Sequence, residues 1–85
     1  MVKFLYTVFD TVMEQCNQPF MANNDSHAVR IHMSSLKDIP TEFQADMKLF
    51  CIGTLDAGTM ELGSVGKARE VPLLSVVDEE EVANA

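Results

Sequence analysis

Apolar and polar positions alternate from Val2 to Phe9. Val2, Phe4, Tyr6 and Val8 share one face, and Lys3, Leu5, Thr7 and Phe9 share the other. The first face is apolar throughout and the second is mixed. This predicts a central strand with a helix on one side and partial cover on the other. Asp10-Thr11 breaks the pattern. Gln15 to Met21 returns as a second strand, antiparallel to the first. Pro19 has no N–H for a ladder, so this strand lies at an edge or carries a bulge.

The period changes after Asn23-Asn24-Asp25-Ser26. Any of the first three can accept from the orphan N–H groups of a first helical turn. We place the cap at Asn24, which puts Asp25 at the first helical position, where its charge suits the dipole. Val29, Met33 and Leu36 then form the predicted core stripe, with Ala28 and His32 on its shoulder. Ile31 falls on the opposite side, with His27, Arg30 and Ser34. It is either an ordinary exposed apolar residue or a subunit contact. Pro40 ends the helix by disfavouring α geometry at Ile39. Thr41 to Asp46 reads as a loop with at most one turn, Thr41 and Gln44 having capping-box spacing. Phe43 is expected to anchor this loop to the core.

Met47 to Leu55 is the other strong strand. Leu49, Cys51, Gly53 and Leu55 lie on one face, and Lys48, Phe50, Ile52 and Thr54 on the other. Asp56-Ala57-Gly58 turns the chain, and Thr59 to Leu62 returns as a partner strand. Gly63, Ser64 and Gly66 mark the expected end of compact order. Residues 67–85 then read as a tail, apolar and extended through Val71–Val77 and acidic from Asp78 to Glu81. The apolar run either frays or docks on its own sheet or a neighbouring subunit. The pattern as a whole predicts an α+β domain over residues 1–66. Its antiparallel sheet has about four strands in the order β-β-α-β-β, with one helix packed on one face.

Size and charge refine this picture. An 85-residue chain makes one domain and buries little surface. Such domains commonly add a disulfide, a metal or a partner subunit. No signal-peptide pattern points to an oxidising compartment. Cys16 and Cys51 are therefore expected to be reduced core thiols. Oligomerisation, with a dimer favoured, becomes the expected staple. No apolar run approaches a membrane span. The net charge is −7, and the chain stays mildly acidic without Asp78–Glu81. The six bases are scattered, which argues against a phosphate-binding face.

The chemical motifs are weak. Gly63-Ser64-Val65-Gly66-Lys67-Ala68 has the outline of a phosphate loop. However, Glu61 stands where its first glycine belongs, and Ala68 replaces the Mg²⁺-binding hydroxyl. His27 and His32 are too far apart around a helix to chelate one ion. Neither cysteine has CxxC spacing, and no Ser–His–acid grouping is identifiable. No catalytic, cofactor or metal site is expected. Phe4, Tyr6, Phe9 and Phe50 on strands could stack single-stranded bases, although strand aromatics are more often core.

Four pieces in order carry a family resemblance. They are the opening strand closing on Asp10-Thr11, Gln18-Pro19-Phe20, Asn24 with Ala28-Val29-Arg30, and Leu49-Phe50-Cys51-Ile52-Gly53-Thr54-Leu55-Asp56. Over roughly residues 3–65 the chain resembles the small nonstructural protein of gokushovirus-type microviruses, which are single-stranded-DNA bacteriophages. His32 stands where such proteins often carry Phe, and the part after Gly66 is not matched. The resemblance implies a non-enzymatic accessory protein of the bacterial host cytoplasm, absent from the virion. By analogy it implies a role in genome replication, in the switch to single-stranded DNA synthesis, through contact with viral or host replication proteins. The alternative is a single-stranded-DNA-binding module. Arg30, Ile31 and Tyr6 are the candidate contact residues for a partner or nucleic acid.

Overall fold

The computed structural model describes residues 1–73. Its elements are β1 (Val2–Asp10), β2 (Gln15–Cys16), β3 (Phe20–Ala22), α1 (Asp25–Leu36), α2 (Thr41–Gln44), β4 (Met47–Asp56), β5 (Leu62–Gly63) and β6 (Arg69–Glu70). The fold is α+β, an antiparallel sheet with one long helix on a face. β1 and β4 are its two long central strands. β2 and β3 line the outer edge of β1, and β5 and β6 line the outer edge of β4.

The second predicted strand is split in two. Phe9 and Asp10 pair with Cys16 and Gln15, while Phe4 to Tyr6 pair with Ala22 to Phe20. Between them Asn17 donates its N–H to the Val8 carbonyl, and the Thr7 hydroxyl donates to the Asn17 carbonyl. The segment therefore stays fastened to β1 across the gap at Pro19, which lacks a donor. The last return strand also shifts, to Leu62–Gly63. The turn before it is longer than expected, because Met60 takes a left-handed conformation (φ 65°) and donates to the Asp56 carbonyl.

β1 and β4 pair from Val2↔Asp56 to Asp10↔Met47, with a register shift between Leu5 and Tyr6. Leu5 faces Gly53 and Tyr6 faces Cys51, so Ile52 is the unopposed residue of a β-bulge. Gly53 is required at this bend. A Cβ there would lie 2.8 Å from the Gly63 carbonyl oxygen of β5.

The core lies between the sheet and α1. It contains Tyr6, Val8, Ala22, Ala28, Val29, Leu49, Cys51 and Val71. The alternation of β4 holds, with Leu49, Cys51 and Gly53 buried. The Asn24 cap holds as well: its side chain accepts the His27 N–H at 2.8 Å.

The helix stripe is rolled about 60° from the predicted one, at 100° per residue. α1 buries Ala28, Val29 and His32, whereas Met33 is 44% exposed. Only Asn23 and Asn24 separate β3 from the helix. Ala22 and Ala28 are both buried in the core, and residues this small allow the two elements to pack closely. Ile31 consequently turns toward the core margin and packs against it, instead of facing outward. Phe43, expected to anchor the loop, is 52% exposed in α2. Order does not end at Gly66. Arg69 and Glu70 pair with Cys51 and Phe50, the Val71 N–H donates to the Leu49 carbonyl, and Val71 is buried. Of the apolar run Val71–Val77, Val71 thus docks on the chain's own sheet, and the part after Leu73 lies outside the described residues.

Candidate functional site

Three charged or polar side chains from distant parts of the chain meet at the start of α1. Tyr6 comes from β1, Asp25 from the first helical position and Arg69 from β6. The Tyr6 hydroxyl donates to Asp25 Oδ1 at 2.6 Å. The Arg69 guanidinium donates to both Asp25 oxygens, at 3.0 and 3.2 Å. This fork is the geometry in which Arg and carboxylate bind most specifically.

The electrostatics follow. Arg69, aided by the Tyr6 hydroxyl, holds the Asp25 carboxyl below the usual carboxylate range, against the opposing effect of burial. Burial, and then the Asp25 carboxylate beside it, pushes the Tyr6 phenol above the ordinary tyrosine range. Asp25 in turn raises Arg69 further. The cluster therefore keeps its phenol protonated and its carboxylate ionised and paired. That arrangement has no free base and no activated nucleophile. It is a clasp: it ties the last described strand to the helix N-terminus and to the central strand.

Tyr6 is fully buried and its ring stacks on Phe20, with centroids 5.9 Å apart. It offers no face to a base, so Tyr6 is corrected from an exposed contact to a core residue. Arg30 is exposed on α1 and lines a shallow depression with His27, Ile31, Ser34, Ser35 and Asp38. Arg30 and Ile31 therefore share a surface, and Tyr6 is not part of it. On the sheet face away from α1, Phe9 and Phe50 pack edge to face at 6.3 Å. They border an apolar groove with Thr7, Cys16, Ile52 and Ala68.

Both thiols are free. Cys51 is buried, but Cys16 is exposed, which corrects its placement in the core. β2 is a two-residue edge strand at a hairpin end, and both its residues are exposed.

His27 accepts the Asn23 N–H on Nδ1 at 3.1 Å. His32 is buried, with neither ring nitrogen hydrogen-bonded. Burial lowers its pKa, and the nearby Met47 backbone opposes this in part. Among the described residues, no group of three or more His, Cys, Asp or Glu could hold a metal. No helix among them is long and apolar enough to cross a membrane.

Sequence reasoning missed Arg69 by assigning it to a tail, and left open whether the run from Val71 frays or docks on its own sheet. The available signal was that Arg69 and Val71 share one face of an extended segment, with Glu70 on the other, just after the glycines.

Comparison with curated proteins and with solved structures finds no match to this chain. A family match covers residues 3–78, nearly the whole chain and beyond the end of the described fold. As a phage protein it is expected in the infected host cell. The chain belongs to the family described as Phage ORF5 protein.

Proposed function

We propose that this phage protein is a non-enzymatic, nonstructural accessory factor of a microvirus-type phage. It works in the host cytoplasm by protein–protein contact during genome replication or the switch to single-stranded DNA synthesis. The observation that carries this reading is the fate of the groups a DNA-binding face would need. Tyr6 is buried, Arg69 is committed to Asp25, Lys48 lies 3.9 Å from Glu70, and Lys3 donates to Asn23. The remaining surface belongs to an acidic chain of net charge −7, which repels phosphate backbones and suits protein partners.

A second reading, single-stranded-DNA binding, draws on the Phe9–Phe50 pair, which is the remaining strand aromatic pair on the face away from the helix. Fluorescence anisotropy with labelled single-stranded DNA at low salt separates the two. No binding is expected. Salt-dependent binding that is lost on Phe50→Ala or Arg30→Ala would overturn the protein-contact reading.

The same proposal includes self-association, with a dimer favoured, because a chain this short gains stability from a partner subunit. Light scattering should give twice the chain mass at micromolar concentration; a strict monomer removes this part. ATP and divalent ions should leave the melting temperature unchanged, as expected for a protein without catalytic machinery.

A further inference from the structure

We propose that the tip of the β1–β2 hairpin, together with Phe43, is a docking surface for a basic segment of a partner protein that carries apolar anchors. This deepens the protein-contact reading and rests on it.

The tip is chemically unusual. The connection Thr11–Glu14 puts Val12 and Met13 at a reverse turn, 69% and 65% exposed. Turns are ordinarily built from Gly, Asn, Asp and Ser, which form them with little strain. Here the turn is held by other means. The Asp10 carboxylate accepts the Val12 and Met13 N–H groups at 2.9 and 3.1 Å. Thr11 is fastened to the Asp46 carbonyl by its N–H and its hydroxyl, each at 3.0 Å. Two large apolar side chains are thus presented to solvent on an anchored turn. Phe43 lies alongside, 52% exposed. With Ile39 and Met47, these residues line one shallow cavity of about 330 Å³. A contiguous exposed apolar patch of this kind marks an interaction site. The methionines among its lining residues adapt to more than one apolar shape.

The charge around the patch selects the occupant. The charged residues lining the cavity are Asp10 and Asp46. Exposed Glu14 and Glu42 flank Met13 and Phe43 in the chain. No Lys or Arg lines the cavity among the described residues. A second copy of this acidic chain brings the same sign of charge to the patch, and a nucleic acid brings phosphates. A Lys- or Arg-rich segment with apolar anchors, such as one face of an amphipathic helix, satisfies both the apolar centre and the acidic rim.

The test uses the full-length protein and a labelled amphipathic helical peptide made of Leu and Lys. Two controls accompany it: the same peptide with every Leu replaced by Ser, and an acidic Leu–Glu peptide. Binding of the Leu–Lys peptide should weaken by roughly tenfold or more in the Met13→Ser, Phe43→Ser double variant, the scale of losing a central apolar anchor. It should also weaken on Asp46→Asn and at high salt. Amide NMR shifts should centre on Val12, Met13 and Phe43. These side chains are exposed, so the melting temperature should be retained, and a retained melt makes any loss of binding interpretable. Equal binding by the Leu-free peptide, unchanged binding by the double variant, or shifts centred elsewhere each overturn this surface. Those results leave the wider protein-contact reading standing, because that reading falls to the single-stranded-DNA experiment instead.

Discussion

Arg69 grips both carboxylate oxygens of Asp25 across 44 positions of sequence, at 3.0 and 3.2 Å. The contact is partly exposed, with side chains 51% and 38% accessible. Solvent screening therefore limits the ion pair itself to about 0.5–1 kcal/mol. Arg69→Ala should cost about that much in urea denaturation, and less in high salt. Asp25→Ala should cost more, because it also strips the buried Tyr6 hydroxyl of its acceptor, a loss of roughly 1–3 kcal/mol. Equal costs for the two variants would mean that the hydroxyl has another partner.

The same carboxylate sets an acid dependence. Its folded pKa is depressed, so its stabilisation is present above the unfolded aspartate value of about 3.9. That stabilisation is lost as pH falls through the lower folded value. Asp25→Asn should flatten this part of the acid unfolding curve. A curve unchanged from wild type would remove Asp25 from the acid response.

Tyr6 is the chain's single tyrosine, so its ionisation can be followed directly by ultraviolet absorbance. Its folded pKa is raised, so its contribution is fully present below the unfolded value of about 10 and declines as pH rises beyond it. Absorbance should show no tyrosinate near pH 10 while the fold persists. Ionisation should appear only with alkaline unfolding. A reversible titration near 10 in the folded protein would contradict the Tyr6–Asp25 bond.

His32 is predicted to weaken the fold. A buried imidazole with no well-formed hydrogen bond among the described residues leaves up to roughly 1–3 kcal/mol of desolvation uncompensated. Its pKa is lowered in the fold, so the unfolded chain takes up the proton first. Stability on this account is greatest above the unfolded value of about 6.5 and falls as pH drops below it. His32→Phe or His32→Leu should raise the melting temperature and reduce the loss of stability between about pH 6.5 and 5. A destabilised variant with an unchanged pH profile would indicate that the ring has a role in packing that an apolar side chain cannot fill.

The two thiols should react differently. Cys16 is exposed and Cys51 buried. A thiol reagent should modify one cysteine per chain under native conditions and the second only on unfolding. Cys16→Ser should abolish the fast phase.

The sequence made the strong periodic elements readable. β1 and β4 were marked by alternation, and the start of α1 by Asn24 and Asp25. The roll of the helix was not readable. It goes with the burial of Ala22 and Ala28, small side chains that carry little hydrophobic signal. β6 was obscured because only two residues pair, right after a glycine-rich stretch, and that stretch reads as the end of order. Of the candidate site residues, Arg30 and Ile31 do share a surface. Tyr6 went the other way, because alternation places an aromatic on a face without saying whether the helix covers that face. The clasp was invisible for a different reason: Asp25 and Arg69 each have an adequate local explanation, and only the sheet topology brings them together.

The pairing of Val2 with Asp56, and of Asp25 with Arg69, has a consequence for synthesis. The central strand β1 precedes its long neighbour by some forty residues, and the clasp comes later still. Contacts so distant in sequence form slowly. A nascent chain that has reached only α2 holds an apolar strand edge without its long partner. Any truncation before Arg69 leaves the helix N-terminus unfastened. The described fold is therefore complete only once Arg69 has left the ribosome. Early termination should yield aggregation-prone fragments in place of smaller working domains.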